Sequence, residues 1–173
     1  MNRKRLLNIL AAAAGSVAIL GALNGCSTQS TTIQPHWTAK KSPFSTMRIE
    51  GSNRFVCSLD EKGMYWRHVG TTGVIRDMKG RRIGTQVDAS TLVDSSGRSA
   101  VLSSPERTGP GVTRADLPDV AFRIDAPTSG PFARATAMTR EKAVRGMPLS
   151  ACAPSQRGQV LKVPFSALLR LWR

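Results

Sequence analysis

The sequence predicts an all-β body: a single compact antiparallel β-meander folded as a sandwich or a partly closed barrel. Three observations carry that prediction. First, apolar residues fall on alternate positions in Phe55, Cys57 and Leu59, in Val120, Phe122 and Ile124, and in Val163, Phe165, Ala167, Leu169 and Leu171. A period of two is the mark of a strand with one buried face. Second, Asp and Gly stand three apart in Asp60–Gly63, Asp77–Gly80 and Asp94–Gly97, and successive copies are 17 residues apart. Asp first and Gly fourth is the preference of a type I turn, because the carboxylate caps turn amides and Gly accepts positive φ. Third, stretches rich in Gly and Pro at 104–118 and 145–158 punctuate the apolar runs as loops.

Taken in order, the chain opens on a basic head, Asn2-Arg3-Lys4-Arg5, followed by an uncharged run from Leu6 to Leu23 rich in Ala, Leu and Ile. That is the pattern of a secretory signal. The run is nearly long enough to span a bilayer, but Gly15-Ser16 and Gly21 weaken it as a permanent helix. Its end decides the reading. Leu23-Asn24-Gly25-Cys26 resembles the bacterial lipoprotein box, in which Leu and a small residue precede a Cys. The resemblance implies that residues 1–25 are cleaved and that Cys26 carries a thioether-linked diacylglycerol and an acylated amine. Each buried methylene contributes about 0.8 kcal/mol, so two or more chains hold a protein stably on a membrane. Ser27, rather than an Asp that resembles an inner-membrane retention signal, favours the periplasmic face of the outer membrane in a cell with two membranes. An uncleaved helix with an ordinary Cys is the alternative.

Residues 26–46 then read as a lipidated flexible tether and 47–173 as the β domain. The part from Ser27 to Lys41 is rich in Ser, Thr and Gln and buries little. The strand pattern starts at Arg54. Met64, Trp66 and His68 alternate with Tyr65, Arg67 and Val69. Softer breaks at 70–73 and 88–90 would divide each 17-residue period into two short strands and two turns, with every second turn at one edge. The segment 104–118 is the longest loop and the expected contact region. The alternation in 132–139 is read as a strand, although 133–145 also suits a helix. The last 14 residues suit a strand or, after Pro164, a helical stripe; the strand is preferred.

The whole chain of 173 residues carries 25 Lys and Arg against 11 Asp and Glu, a net charge of +14. Loss of residues 1–25 leaves 148 residues at +11, enough for one domain and a tether. The basic residues are scattered, with no helix-like cluster, and aromatics are only 5% of the chain, which weighs against nucleic acid as the partner. A solvated basic face, or contact with anionic lipid or a cell-wall polymer, accounts for the charge better. With Cys26 lipidated, Cys57 and Cys152 remain. In an oxidising compartment one disulfide between them is expected, two separate buried thiols being the alternative.

The order of residues resembles an uncharacterised exported family, domain of unknown function 3455. The resemblance runs through Gly51, Cys57, Trp66, Asp77, Gly80, Ile83-Gly84, Asp94 to Gly97, Leu117-Pro118, Arg140, Pro148, Cys152 and Val163-Pro164-Phe165-Ser166-Ala167. It covers about residues 47–172. It implies a compact β fold and the Cys57–Cys152 pairing, and no activity. The chain departs from the family where Gln86 and Leu92 replace a His and a Trp, and where Leu169 and Leu171 replace aromatics. A ligand pocket near Trp66, His68 and Gln86 is the candidate site.

Catalytic machinery is sparse. His36 lies in the tether, and His68 is the one candidate base in the body. No nucleophile elbow is present to complete a Ser/His/Asp site. A carboxylate pair would have to come from Asp88, Asp94 or Asp116, which sit in turn-like segments. No cofactor loop appears, and the Asp turns lack the fuller ligand pattern of a calcium loop, so no metal and no cofactor are expected. The preferred reading is a lipid-anchored envelope module without catalysis, binding a cell-wall polymer, an anionic lipid, another envelope protein or a small ligand. The alternative is an envelope hydrolase using His68 or a carboxylate pair.

Overall fold

The computed structural model describes residues 42–173, and the signal segment, Cys26 and the tether as far as Lys41 lie outside them. Nine strands form one antiparallel sheet: β1 Ser45–Asp60, β2 Gly63–Asp77, β3 Arg82–Gln86, β4 Thr91–Asp94, β5 Ser99–Leu102, β6 Glu106–Gly109, β7 Asp119–Asp125, β8 Ala137–Arg145 and β9 Val160–Trp172. The order across the sheet is β5-β4-β3-β2-β1-β9-β8-β7-β6. A further pairing of β5 with β7, Val101 to Asp125 and Leu102 to Ile124, bends the sheet round on itself into a partly closed barrel. The all-β class is therefore as the alternation and turns predict, and the barrel is the form it takes.

Register explains the core. Met47, Ile49 and Phe55 of β1 face inward, as do Ile75 of β2, Leu92 of β4, Phe122 of β7, Met138 of β8 and the alternating set Phe165, Ala167, Leu169 and Leu171 of β9. Most of them join one apolar cluster inside the ring. The preference for a strand over a helix in the last 14 residues is thus met, because β9 pairs with β1 on one side and β8 on the other. Phe132 plugs the interior from the turn that leads into β8 and is fully buried.

The barrel has two ends. The chain enters at the end where Ser45 pairs with Leu171 and where β2 and β7 finish. At the far end are the Asp60–Gly63 hairpin, residues 110–118 and the loop from Gly146 to Gln159. Cys57 and Cys152 are joined by a disulfide, with Cα atoms 5.9 Å apart, which pins that last loop to the β1–β2 hairpin. The amide of Gly158 also donates to Cys57 O at 2.9 Å. The ring, its core and its disulfide are all drawn from residues 45–172, so this segment holds what a domain needs to fold by itself.

The three Asp–Gly turns form as expected. Gly63, Gly80 and Gly97 take positive φ, and Asp60, Asp77 and Asp94 each accept the amide two residues on, at 2.8, 2.9 and 2.7 Å. Their spacing means something different from the expectation, however. Residues 70–73 are not a turn but lie inside β2, which runs unbroken over 15 residues. Gly73 is opposite Gly51 of β1, and a Cβ on Gly51 would collide with the carbonyl of Thr72. These glycines permit close approach of two backbones rather than chain reversal. The first and second turns therefore sit at opposite ends, and the second and third share one.

Three other boundaries differ. β1 begins at Ser45 rather than Arg54, so the body starts two residues before position 47. β6 lies within the expected 104–118 loop. Residues 131–134 are a turn, with Arg134 at φ 66°, and the strand begins only at Ala137. The segment 137–145 is a strand and not a helix, because its backbone bonds are claimed by β7 and β9.

Candidate functional site

Two places gather polar and charged chemistry. The first is a polar patch on the inner face. A bulge at Val69 of β2, opposite the Arg54–Phe55 step, shifts the register of β1 against β2. It lets both Thr71, before the bulge, and His68 and Trp66, beyond it, share the inner face with Asn53, Phe55 and Cys57. His68 Nε2 and Thr71 Oγ1 are 3.0 Å apart. The Thr71 hydroxyl donates to Asn53 Oδ1 at 2.7 Å, and Asn53 Nδ2 donates to Gly146 O at 3.0 Å. The imidazole packs edge-on to Phe55 with ring centres 5.4 Å apart. Desolvation holds the His68 pKa below its ordinary value; a hydrogen bond with the Gly70 backbone opposes this, and the charge of Arg140 adds to it.

Arg140 projects inward from β8, opposite Val120 and Leu169. Its guanidinium is pushed down to about 10 by burial, which the charge of Asp119 only partly offsets. Nη2 makes a long contact to Pro118 O at 3.5 Å, and the buried Nε has no hydrogen-bond partner among the described residues.

The structure brings Trp66 and His68 together and places Gln86 elsewhere. Gln86 pairs with Gly73 on the neighbouring strand, five residues along β2 from His68, about 17 Å at strand rise. It is buried, and its Nε2 donates to Ala89 O at 3.4 Å. Alternation identified the shared face of Trp66 and His68. Asn53 and Thr71 carried no comparable signal in the sequence, and Arg140 stood out only through the family resemblance.

The low His68 pKa has a consequence. A base whose folded pKa is depressed binds its proton less readily in the folded state than in the unfolded one. Stability is then full above about pH 6.5, the ordinary histidine value, and falls as pH drops below it. Urea midpoints measured at pH 7 and pH 5 should differ in the wild type. The difference should shrink in His68→Gln, which keeps a polar group but does not titrate. An unchanged difference would mean that His68 titrates freely.

The second place is the far-end face. The carboxylate of Asp116 ties two segments into one ridge. Its Oδ2 accepts the amide and hydroxyl of Thr113, both at 2.8 Å, and its Oδ1 accepts the Arg145 amide at 2.6 Å. Backbone bonds from Leu117 N to Arg145 O and from Met147 N to Ala115 O, each 2.9 Å, complete the ridge. The Arg145 amide, the Thr113 hydroxyl and the Thr113 amide together hold the Asp116 pKa below its ordinary value against the cost of burial.

A groove of about 420 Å³ lies on one side of the ridge, with Arg107, Val112, Arg114 and Pro118 in its walls. One of about 350 Å³ lies on the other, with Arg145, Leu149, Lys162 and Pro164. Met147 lines both. The expected contact loop, 104–118, thus supplies one groove, and the loop that carries Cys152 supplies much of the other.

The three candidate carboxylates are not paired. Asp88 accepts Ser90 N at 2.7 Å, Asp94 accepts Ser96 N and Arg98 N at 2.7 and 3.0 Å, and Asp116 is held as above. Each closes its own turn. Among the described residues no three His, Cys, Asp or Glu side chains gather as a metal site, and no helix is long and apolar enough to cross a membrane.

Comparison with known proteins yields no family model, no curated protein and no solved structure that matches the chain.

Proposed function

We propose that the chain is a lipid-anchored envelope protein whose barrel serves as a binding module, not a catalyst. The anchor is read from Leu23-Asn24-Gly25-Cys26, and the working face from the far-end ridge with its two grooves. The single observation that carries the binding reading is this rigid, basic-edged ridge opposite the point of chain entry. Its one acid, Asp116, is spent on holding the ridge together. The module would sit on the periplasmic face of an outer membrane where two membranes exist, with Ser27 after the lipidated Cys26 as the basis.

A hydrolase is the second reading, favoured by one observation: the solvent-accessible His68, its pKa lowered, lies 3.0 Å from the Thr71 hydroxyl. Against it, the Thr71 hydroxyl already donates to Asn53, and among the described residues no carboxylate is hydrogen-bonded to the ring.

Two experiments test the proposal. Cells grown with labelled palmitate should incorporate it into the wild type and not into Cys26→Ala, which should lose its membrane retention; equal retention of the variant would remove the anchor. A hydrolase substrate screen should give no turnover that depends on His68. Turnover abolished by His68→Ala would make the second reading the right one.

A further inference from the structure

The far-end face has a composition that singles out one kind of partner. Val112 is 90% exposed and Leu149 83% exposed, and both stand at the groove edges with the half-open Met147 between them. Arg107, Arg114, Arg145 and Lys162 surround these aliphatic tips. None of the four is in an ion pair among the described residues, in contrast to Arg81 with Asp77, Arg98 with Asp94 and Arg170 with Glu141.

A polyanion such as a wall polymer or a nucleic acid would be drawn to the charges. It offers nothing apolar to receive Val112 and Leu149, and the groove walls carry no Phe, Tyr or Trp on which a sugar or base could stack. A bilayer surface satisfies both halves of the pattern. Aliphatic side chains enter the boundary between headgroups and acyl chains, while basic side chains stay level with the phosphates.

We propose that this face docks on an anionic lipid surface, with Val112, Met147 and Leu149 inserted and Arg107, Arg114, Arg145 and Lys162 on the headgroup phosphates. The ridge held by Asp116 presents these groups in a fixed array, so little ordering is needed on contact. The proposal rests on the envelope reading above, because it needs a membrane within reach. The 18 residues between Cys26 and Ser45 extend to about 60 Å at most, enough for the far end to meet the anchoring bilayer or one facing it.

The test uses residues 42–173 and sedimentation with two kinds of vesicle: phosphatidylcholine only, and the same lipid with about a third phosphatidylglycerol. Wild type should partition at least about tenfold more strongly onto the anionic vesicles, and added salt should weaken it. Arg114→Glu with Lys162→Glu should lower that binding by about 25-fold or more, since one basic residue near the surface is worth about fivefold. Val112→Asp with Leu149→Asp should lower it at least tenfold while thermal unfolding stays unchanged, as both side chains are exposed.

Equal binding to both vesicles, or no binding, overturns the proposal. So does binding to anionic vesicles that is indifferent to the Asp variants, or retention on isolated cell-wall material with none on lipid, which would make the face a polymer site. Palmitate labelling separates this failure from failure of the anchor: a labelled Cys26 with no vesicle binding sinks only the docking face, and vesicle binding by a chain that takes up no palmitate sinks only the anchor.

Discussion

Phe132→Ala should destabilise the body by about 3–5 kcal/mol, the range for truncating a fully buried aromatic side chain. Phe132 has no exposed surface and belongs to the single core cluster. It does not come from a strand. It is inserted by the turn before β8, where Ala133 N donates to Gly130 O at 3.1 Å and Ala135 N to Phe132 O at 3.2 Å. The turn is braced from outside by Arg98, whose Nη1 donates to Ser129 Oγ at 2.8 Å and whose Nε donates to the buried Asp94 at 2.9 Å. The ring lies over β3 so closely that a Cβ on Gly84 would come within 3.1 Å of Phe132 Cζ. With its position fixed by backbone on both sides, the surroundings cannot collapse into the void, which places the cost toward the upper part of the range. In thermal unfolding the loss corresponds to about 10–20 °C for a domain of this size. Phe132→Leu, which keeps most of the volume, should cost about a third as much. A loss under about 1 kcal/mol for the Ala variant would show that the ring does not fill the barrel interior.

What the sequence displayed, and what it hid, follows one physical division. A strand with one buried face writes its own period, so β7 and β9 are plain in Val120, Phe122 and Ile124 and in Val163 to Leu171. An Asp–Gly turn is also local, since the carboxylate caps amides two to four residues away, and all three such turns are present. Non-local features leave no such trace. β6, Glu106-Arg107-Thr108-Gly109, has no alternation and exists because β7 offers it a free edge. Gly70 and Gly73 look like a turn until β1 lies beside them. Barrel closure depends on two residue pairs from β5 and β7 that are more than 20 residues apart.

The same division applies to the sites. The common face of Trp66 and His68 is a matter of alternation and was legible. Placing Gln86 with them was not justified by any local pattern, and the strand register separates them. Arg140 stood out only through the family resemblance and not by alternation, because residues on both faces of β8 are buried: Met138 faces the interior, while Ala137 and Thr139 lie on the other face under Trp172, whose Nε1 donates to Thr139 Oγ1 at 3.2 Å. A strand covered on both sides loses its period. The far-end ridge was half visible, as a Pro- and Gly-rich loop. Its rigidity was not, because Asp116 reaches across 29 residues to the Arg145 amide.

Replacing both Cys57 and Cys152 by Ser should cost about 4–5 kcal/mol on the chain-entropy estimate for a closed loop of this length, within the 2–5 kcal/mol usual for a native disulfide in a small domain. The bridge joins residues 95 apart in sequence and so removes a large part of the freedom of the unfolded chain. In the folded state it is reinforced by Cys57 N to Gln159 O at 3.0 Å and Gly158 N to Cys57 O at 2.9 Å. These backbone bonds keep the loop in register when sulfur is lost, so the folded structure should survive with its fold intact but its margin small. If the effect is carried by the unfolded chain, Cys57→Ser alone, Cys152→Ser alone and the double variant should fall by nearly equal amounts, and chemical reduction of the wild type should match them. If the bridge acts instead by holding the far-end loop in place, the three variants should unfold near the wild-type midpoint but be cut early by protease between Met147 and Gly158. Urea unfolding and limited proteolysis on the same samples distinguish the two outcomes, and a stability loss below about 1 kcal/mol would rule out the entropic one.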